Sequence, residues 1–169
     1  MEPIAVATTT DEIHPDQVMS HQPGSSPGAE QARLYASLAV LLDYPHGDLN
    51  SSLATCRALA ATMAPEASDD LGTFDAFVRA STSGQLEEAY TAFFDLNPVC
   101  SPYVGHLLFG ESYKRSAFLV ELNEHYRSHR FEIDGAEIAD RLSVMLAFMA
   151  ACDDDEERRS MTVEAVLPA

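Results

Sequence analysis

The sequence predicts an all-α fold: a single helical bundle of six to seven helices behind a disordered N-terminal tail. Three observations lead there. From Ala29 onward, apolar residues recur at the three-to-four spacing of amphipathic helices. No segment carries the alternating pattern of a half-buried strand. The 169 residues, 46% of them hydrophobic, are enough for one core and one domain.

The elements follow in order. Residues 1–28 contain Pro3, Pro15, Pro23, Pro27, Gly24 and Gly28, with acids at Glu2, Asp11, Glu12 and Asp16 and no lysine or arginine. Such a composition buries too little apolar surface to offset its ordering entropy, so this stretch reads as tail and 29–169 as the helical domain. A first helix places Leu34, Leu38, Leu41 and Leu42 on one face and stops at Tyr44-Pro45. A second aligns Leu49, Leu53, Cys56, Ala60 and Met63 and stops at Pro65. A third, from about Asp69 to Ala80, carries Leu71, Phe74, Phe77 and Val78, with Gly72 weakening it. The fourth opens after Ser83-Gly84 and carries Leu86, Tyr90, Phe93 and Phe94. Asp95 to Gly110, with Pro98, Pro102, Gly105 and Gly110, reads as irregular. The fifth helix, about Glu111 to Arg130, has two stripes: Phe118, Leu119, Leu122 and Tyr126, and then Tyr113, Ala117 and Val120. Two stripes predict a helix covered from two sides, and so a central one. The sixth runs from about Ala136 to Cys152 through Ile138, Leu142, Met145, Leu146 and Met149. A seventh opens on Asp153–Glu157, acids first, as the helix dipole favours.

The net charge of −17, with Lys114 the one lysine, excludes nucleic acid as a natural partner, because an acidic surface repels phosphate backbones. It suits a basic partner, and it equally serves solubility alone. Cys56, Cys100 and Cys152 form no CxxC pair and no metal-finger spacing, which fits a reducing compartment. The N-terminus lacks a basic n-region and an apolar core. No apolar run approaches the roughly 20 residues of a membrane helix. The expectation is a cytoplasmic protein without membrane insertion.

Catalytic patterns are incomplete. His125 and His129 stand at i, i+4, a spacing that can hold a metal, but residue 126 is Tyr, so the general base of HExxH is missing. No Glu-x-x-His occurs, which argues against a carboxylate-bridged di-iron bundle. Two exposed histidines on a polar face are the simpler reading. The segment Gly105-His106-Leu107-Leu108-Phe109-Gly110-Glu111 lacks the Lys-Ser/Thr ending of a phosphate loop, and Ser101 and Ser112 have no nucleophile-elbow context. Neither a catalytic residue nor a metal ligand set is assigned.

Two constellations remain. The first is the irregular stretch with Ser101-Pro102-Tyr103, Gly105-His106 and Phe109-Gly110-Glu111-Ser112, followed by Arg115. An irregular run of about 15 residues in a compact domain is usually functional. Tyr103 and Phe109 can also simply plug the core between helices, which for Phe109 is the favoured reading, and Glu111 and Arg115, one turn apart, are expected to pair. The second is Glu137-Ile138-Ala139-Asp140-Arg141-Leu142 with Leu146 and Phe148, which can be read as a binding surface or as a helix N-terminus with two well-placed acids.

The order of residues from Tyr90 to Tyr126, most specifically Phe94 to Arg115, resembles the TorD/DmsD/NarJ family of redox-enzyme maturation chaperones, above all its NarJ-like branch. The resemblance covers roughly Glu30 to Leu167. It extends to Glu137, Asp140, Leu142, Leu146 and Phe148, and departs at Ala139, where proline is usual, and at Arg141, where His or Tyr is usual. It implies an all-helical chaperone, not an enzyme and without a cofactor of its own. Such a protein binds the N-terminal leader of a molybdopterin oxidoreductase catalytic subunit of the nitrate-reductase or dimethyl-sulfoxide-reductase type, a leader that can carry twin arginines, until the cofactor is inserted. The implied groove lies between the fourth, fifth and sixth helices, with Tyr90, Phe94, Tyr103, Leu142 and Met145 as apolar contacts. Glu111, Glu137 and Asp140 form an acidic rim, and His106, Arg115 and Arg141 lie beside it. Arg141 puts a cation where a basic leader would approach, unless Glu137 or Asp140 neutralises it. Family members generally continue for at least another helix past Leu167, so the chain is expected to be a short variant or part of a longer protein, with a monomer or a helix-swapped homodimer as its state. Two rival readings stay open: a small metal- or haem-binding helical enzyme, in which His106, His125 or His129 converge, and a helical scaffold without leader recognition.

Overall fold

A computed structural model describes residues 27–46, 48–96, 100–133, 135 and 137–169. The expectation of a disordered tail falls on residues outside these, apart from Pro27 and Gly28, which already belong to the first helix. Eight α-helices are present among the described residues, and no strand. They are α1 (Pro27–Leu41), α2 (Leu49–Met63), α3 (Ser68–Ala80), α4 (Ser83–Thr91), α5 (Val104–Phe109), α6 (Tyr113–Ser128), α7 (Leu142–Ala151) and α8 (Asp155–Met161). None is long and apolar enough to cross a membrane.

Local chemistry sets most of the ends. Pro27 opens α1, where its missing N–H costs nothing. Asp48 caps α2 by accepting the Asn50 N–H at 2.9 Å. Pro65 then stops α2 and starts a 3₁₀ turn, Pro65–Ala67. Thr82 and Gln85 form a capping box at α4. The Asp154 carboxylate accepts from Glu156 N and Glu157 N at the start of α8. Gly110, at φ +62°, ends α5 in a conformation that disfavours any Cβ.

Two apolar clusters hold the molecule together. The larger gathers Val104 of α5, Leu122 and Tyr126 of α6, Met145, Phe148 and Met149 of α7, and residues of α1 and α8. The smaller gathers Leu49, Leu53 and Val78, with Leu71, Phe74 and Leu86 against them. α1 belongs to both assemblies: it packs on α7 and on α2, and α2 packs on α3.

Three expectations are corrected. The central helix is α7, which buries Ser143, Met145, Leu146, Phe148 and Met149. In α6, Tyr113 is 86% and Val120 58% exposed, so its second stripe meets solvent. The irregular stretch before residue 110 contains α5, too short to show a full apolar period. The sixth predicted helix starts at Leu142, not near Ala136. Residues 137–141 instead form a non-helical turn, with Arg141 N donating to Ile138 O at 3.0 Å, pinned because Val104 N donates to Asp140 O and Leu142 N to Pro102 O, each at 2.8 Å, around an antiparallel bridge between Tyr103 and Arg141. Tertiary pairing overrides helix propensity there.

Candidate functional site

The segments on either side of that bridge meet in a polar node. Asp140 is fully buried. Arg115 of α6 grips it with two hydrogen bonds, Nε to Oδ2 at 2.9 Å and Nη2 to Oδ1 at 3.3 Å. The hydrogen bond to Asp140 raises the Arg115 guanidinium further above its already high value. The same guanidinium lies 5.5 Å from the centre of the Tyr103 ring. Gly105 makes the approach possible: a Cβ there would sit 2.7 Å from Asp140 Oδ2 and 2.9 Å from Phe118 Cδ1. Beneath, the buried Tyr126 hydroxyl donates to Ala139 O at 2.9 Å. Burial, then the Asp140 carboxylate, push the Tyr126 phenol above its ordinary range, so it stays a neutral donor.

Arg141 extends the node in the other direction. It is only 8% exposed, and its guanidinium reaches Glu137, Asp43 at 3.3 Å and the Tyr90 hydroxyl. Burial opposes its charge, and Glu137, Tyr90 and Asp43 together outweigh that, so the group is held charged. Arg141 is therefore neutralised from the carboxylates of Glu137 and Asp43, while Asp140 is taken by Arg115. Its link to Tyr90 ties the start of α7 to α4.

Tyr90 is also the point where the node meets an open apolar groove. A groove of about 770 Å³ runs between α1, α2, α3 and α4. Leu38, Leu42, Phe74, Leu86, Tyr90 and Phe94 supply much of its wall, and Asp43 and Asp70 stand among its few polar residues. Phe77 and Phe93, also on the wall, are 43% and 56% exposed. Among the described residues α4 meets the other α-helices only lightly, chiefly through Leu86 on the smaller cluster. Tyr90 stacks on Phe94 at 4.8 Å and meets Tyr44 edge-on at 5.3 Å, and burial raises its phenol pKa.

The structure thus divides the residues singled out from sequence. Tyr90 and Phe94 line the groove. Met145 is wholly buried in the larger core and Leu142 packs against that core. Tyr103 and His106 are half-buried beside the node, on the side of α5. Asp140 is a buried partner of Arg115 and not a rim carboxylate, and Arg115 pairs with it, not with the exposed Glu111. Glu137 is exposed but bonded to Arg141. The groove is walled by the first four helices, not by the fourth, fifth and sixth. Sequence reasoning missed Leu38, Leu42, Phe74 and Leu86 as surface formers because their spacing marks a buried face without saying whether a neighbour covers it.

The histidine pair is less exposed than expected: His125 is half-buried, facing Glu157 of α8, with only His129 on the surface.

Comparison with known proteins decides the family. The model of the nitrate reductase delta subunit family matches residues 60–167. The chain belongs to the nitrate reductase delta subunit family. Membership makes it a redox-enzyme maturation protein and not a catalyst. Among solved structures, it is similar to a protein from Archaeoglobus fulgidus described as a redox enzyme maturation protein. Identity is 21% and the TM-score 0.46, over 73% of this chain and 70% of that one. No curated protein matches it. The delta-subunit match takes in α3 to α8, hence the polar node apart from Asp43 and the α3 and α4 walls of the groove.

Proposed function

We propose that this delta-subunit protein is a cytoplasmic, system-specific chaperone. It binds the N-terminal leader of a molybdopterin oxidoreductase catalytic subunit and holds the apoenzyme until cofactor insertion. The observation that carries the reading is the apolar groove between α1 and α4, open to solvent and large enough to take several leader side chains. Peptide capture works by helix-in-groove or extended docking, with apolar anchors supplying most of the affinity. Burying one leucine-sized side chain contributes roughly 1.5–3 kcal/mol, against about 0–1 kcal/mol for an exposed charge pair. Asp43 and Asp70 at the groove, in a chain of net charge −17, favour a leader with basic flanks, including twin arginines. The node acts behind the groove: Arg141 holds Tyr90, and Arg115–Asp140 holds Arg141's loop.

The test is calorimetric titration with leader peptides of the organism's molybdenum enzymes, taken in turn. One leader should bind. Replacing a leader leucine by aspartate should weaken it far more than replacing one arginine by glutamine, and Phe93→Asp on this chain should weaken it about tenfold or more. Binding that disappears at moderate salt would move recognition from the groove to charge. Absence of binding to every leader would leave only a scaffold.

A further inference from the structure

His125 and His129 are not simply a polar face of α6. Glu157, 32 positions along the chain on α8, comes to the same place, with one ligand atom from each of the three within 4.8 Å of the others. His125 Nε2 and Glu157 Oε1 are 2.7 Å apart. They do not meet along a hydrogen-bond direction, and that buried nitrogen has no hydrogen-bond partner. A neutral pair built for each other would satisfy it. His129 is fixed differently. Its Nδ1 faces Ser128 Oγ at 3.0 Å and His125 O at 3.1 Å. A carbonyl can only accept, so in the neutral ring the proton sits on Nδ1 and Nε2 offers its lone pair. That is how metal-ligating histidines are held. The two imidazoles lie 4.8 Å apart, and each packs edge-on against Phe148, at 5.5 and 5.4 Å, a rigid apolar backing in the larger core.

We propose that His125, His129 and Glu157 form a transition-metal site, of zinc(II) type, that clamps α8 to α6. Two imidazoles and a carboxylate are a common zinc donor set. Donors about 2.0–2.1 Å from a tetrahedral ion stand about 3.3 Å from one another, so rotamer adjustment of tenths of an ångström to about 1.5 Å closes the set. Beside it opens a second cleft of about 350 Å³, lined by His125 and Glu157 together with Glu121, Ser160 and Glu164. This cleft gives the ion a way in and leaves a position for water or a further carboxylate. The role is structural: α8 is only seven residues long, and the His125–Glu157 contact ties it to α6.

The tag-free full chain, stripped with EDTA and desalted, is titrated with zinc chloride by calorimetry, and bound metal is counted by elemental analysis. One equivalent per chain should bind, and the melting temperature should rise with zinc. Cobalt(II) should give visible bands of nitrogen–oxygen coordination. His129→Ala and Glu157→Gln should each weaken binding at least about 100-fold, since loss of even an outer-sphere partner costs about 10–100-fold. His106→Ala and Cys100→Ser, the latter removing the exposed thiol, should leave it unchanged. His129 is exposed, so that variant keeps its fold; matching circular dichroism confirms it. No stoichiometric binding by the parent chain, or undiminished binding by His129→Ala, overturns the site and leaves an aromatic stack.

Discussion

Removing the Asp140 carboxylate tests whether the polar node is a brace. Asp140 has no exposed surface, and the Arg115 side chain keeps 23%. Asp140→Ala leaves the guanidinium without its two-point acceptor. Breaking a buried ion pair from one side costs about 3–5 kcal/mol. Arg115 can turn partly toward water, so the lower end, about 3 kcal/mol, is expected. For a domain of this size 1 kcal/mol moves the melting temperature by about 2–4 °C, which gives a fall of roughly 6–12 °C. Arg115→Met keeps the aliphatic stem but strands a carboxylate with no path to solvent, so its cost should be as large or larger. The double variant removes both charges, and its cost should fall short of the sum by about 2 kcal/mol. Urea denaturation followed by circular dichroism reads all four corners of the cycle. A loss below about 1 kcal/mol for Asp140→Ala, or strict additivity in the cycle, would refute the brace and return Asp140 to the candidate contact residues. Folded Asp140→Ala should weaken leader binding less than Phe93→Asp does, because its carboxylate does not line the groove and acts only through Arg141 and Tyr90.

Two further outcomes follow from the same packing. Gly105→Ala should cost roughly 1–3 kcal/mol in chemical denaturation, because its Cβ would press on Asp140 and Phe118, and the cost should shrink in the Asp140→Ala background, where one of those neighbours is gone. Asp75 accepts hydrogen bonds from Arg57 at 2.7 Å and Arg79 at 2.9 Å, and the Arg79 bond holds its carboxyl below the usual value of 3.8. Its contribution is thus complete above that value and is lost as the pH falls through the folded pKa; the stability of Asp75→Asn, followed through acid, should lack that final loss.

The helices that repeat their apolar face over several turns were legible. The Leu49 to Met63 period and the Pro65 stop mark out α2, and Tyr90 and Phe94, expected at a groove between the fourth, fifth and sixth helices, line one between α1 and α4. What failed did so for identifiable reasons. α5 spans six residues, fewer than two turns, so it has no period to read. Tyr113 and Val120 have helical spacing with the rest of α6, but spacing does not report whether another element lies opposite. Glu137 to Arg141 have the composition of a helix start, yet two long-range backbone hydrogen bonds to Pro102 and Val104 fix them otherwise. Asp140 looked like a surface acid because its partner, Arg115, lies 25 residues away. Glu157 stood in an acidic run whose plain role is to cap α8, and only the fold brings it to His125.

The existence of two apolar clusters has a consequence for how the molecule opens. Val78, Leu49 and Leu53 hold α3 to α2 in a cluster that shares no buried residue with the one around Phe148 and Met149. Free energies of opening therefore differ across the chain. α4 can detach at the cost of Leu86's contact with the small cluster and of Tyr90's ties to Arg141 and Tyr44, while α7, buried in the larger core, stays locked until that core opens. Amide hydrogens in α7 would exchange last and those of α4 early. A groove whose outer wall swings on its own low barrier can admit and release a long chain segment without risking the fold that carries it.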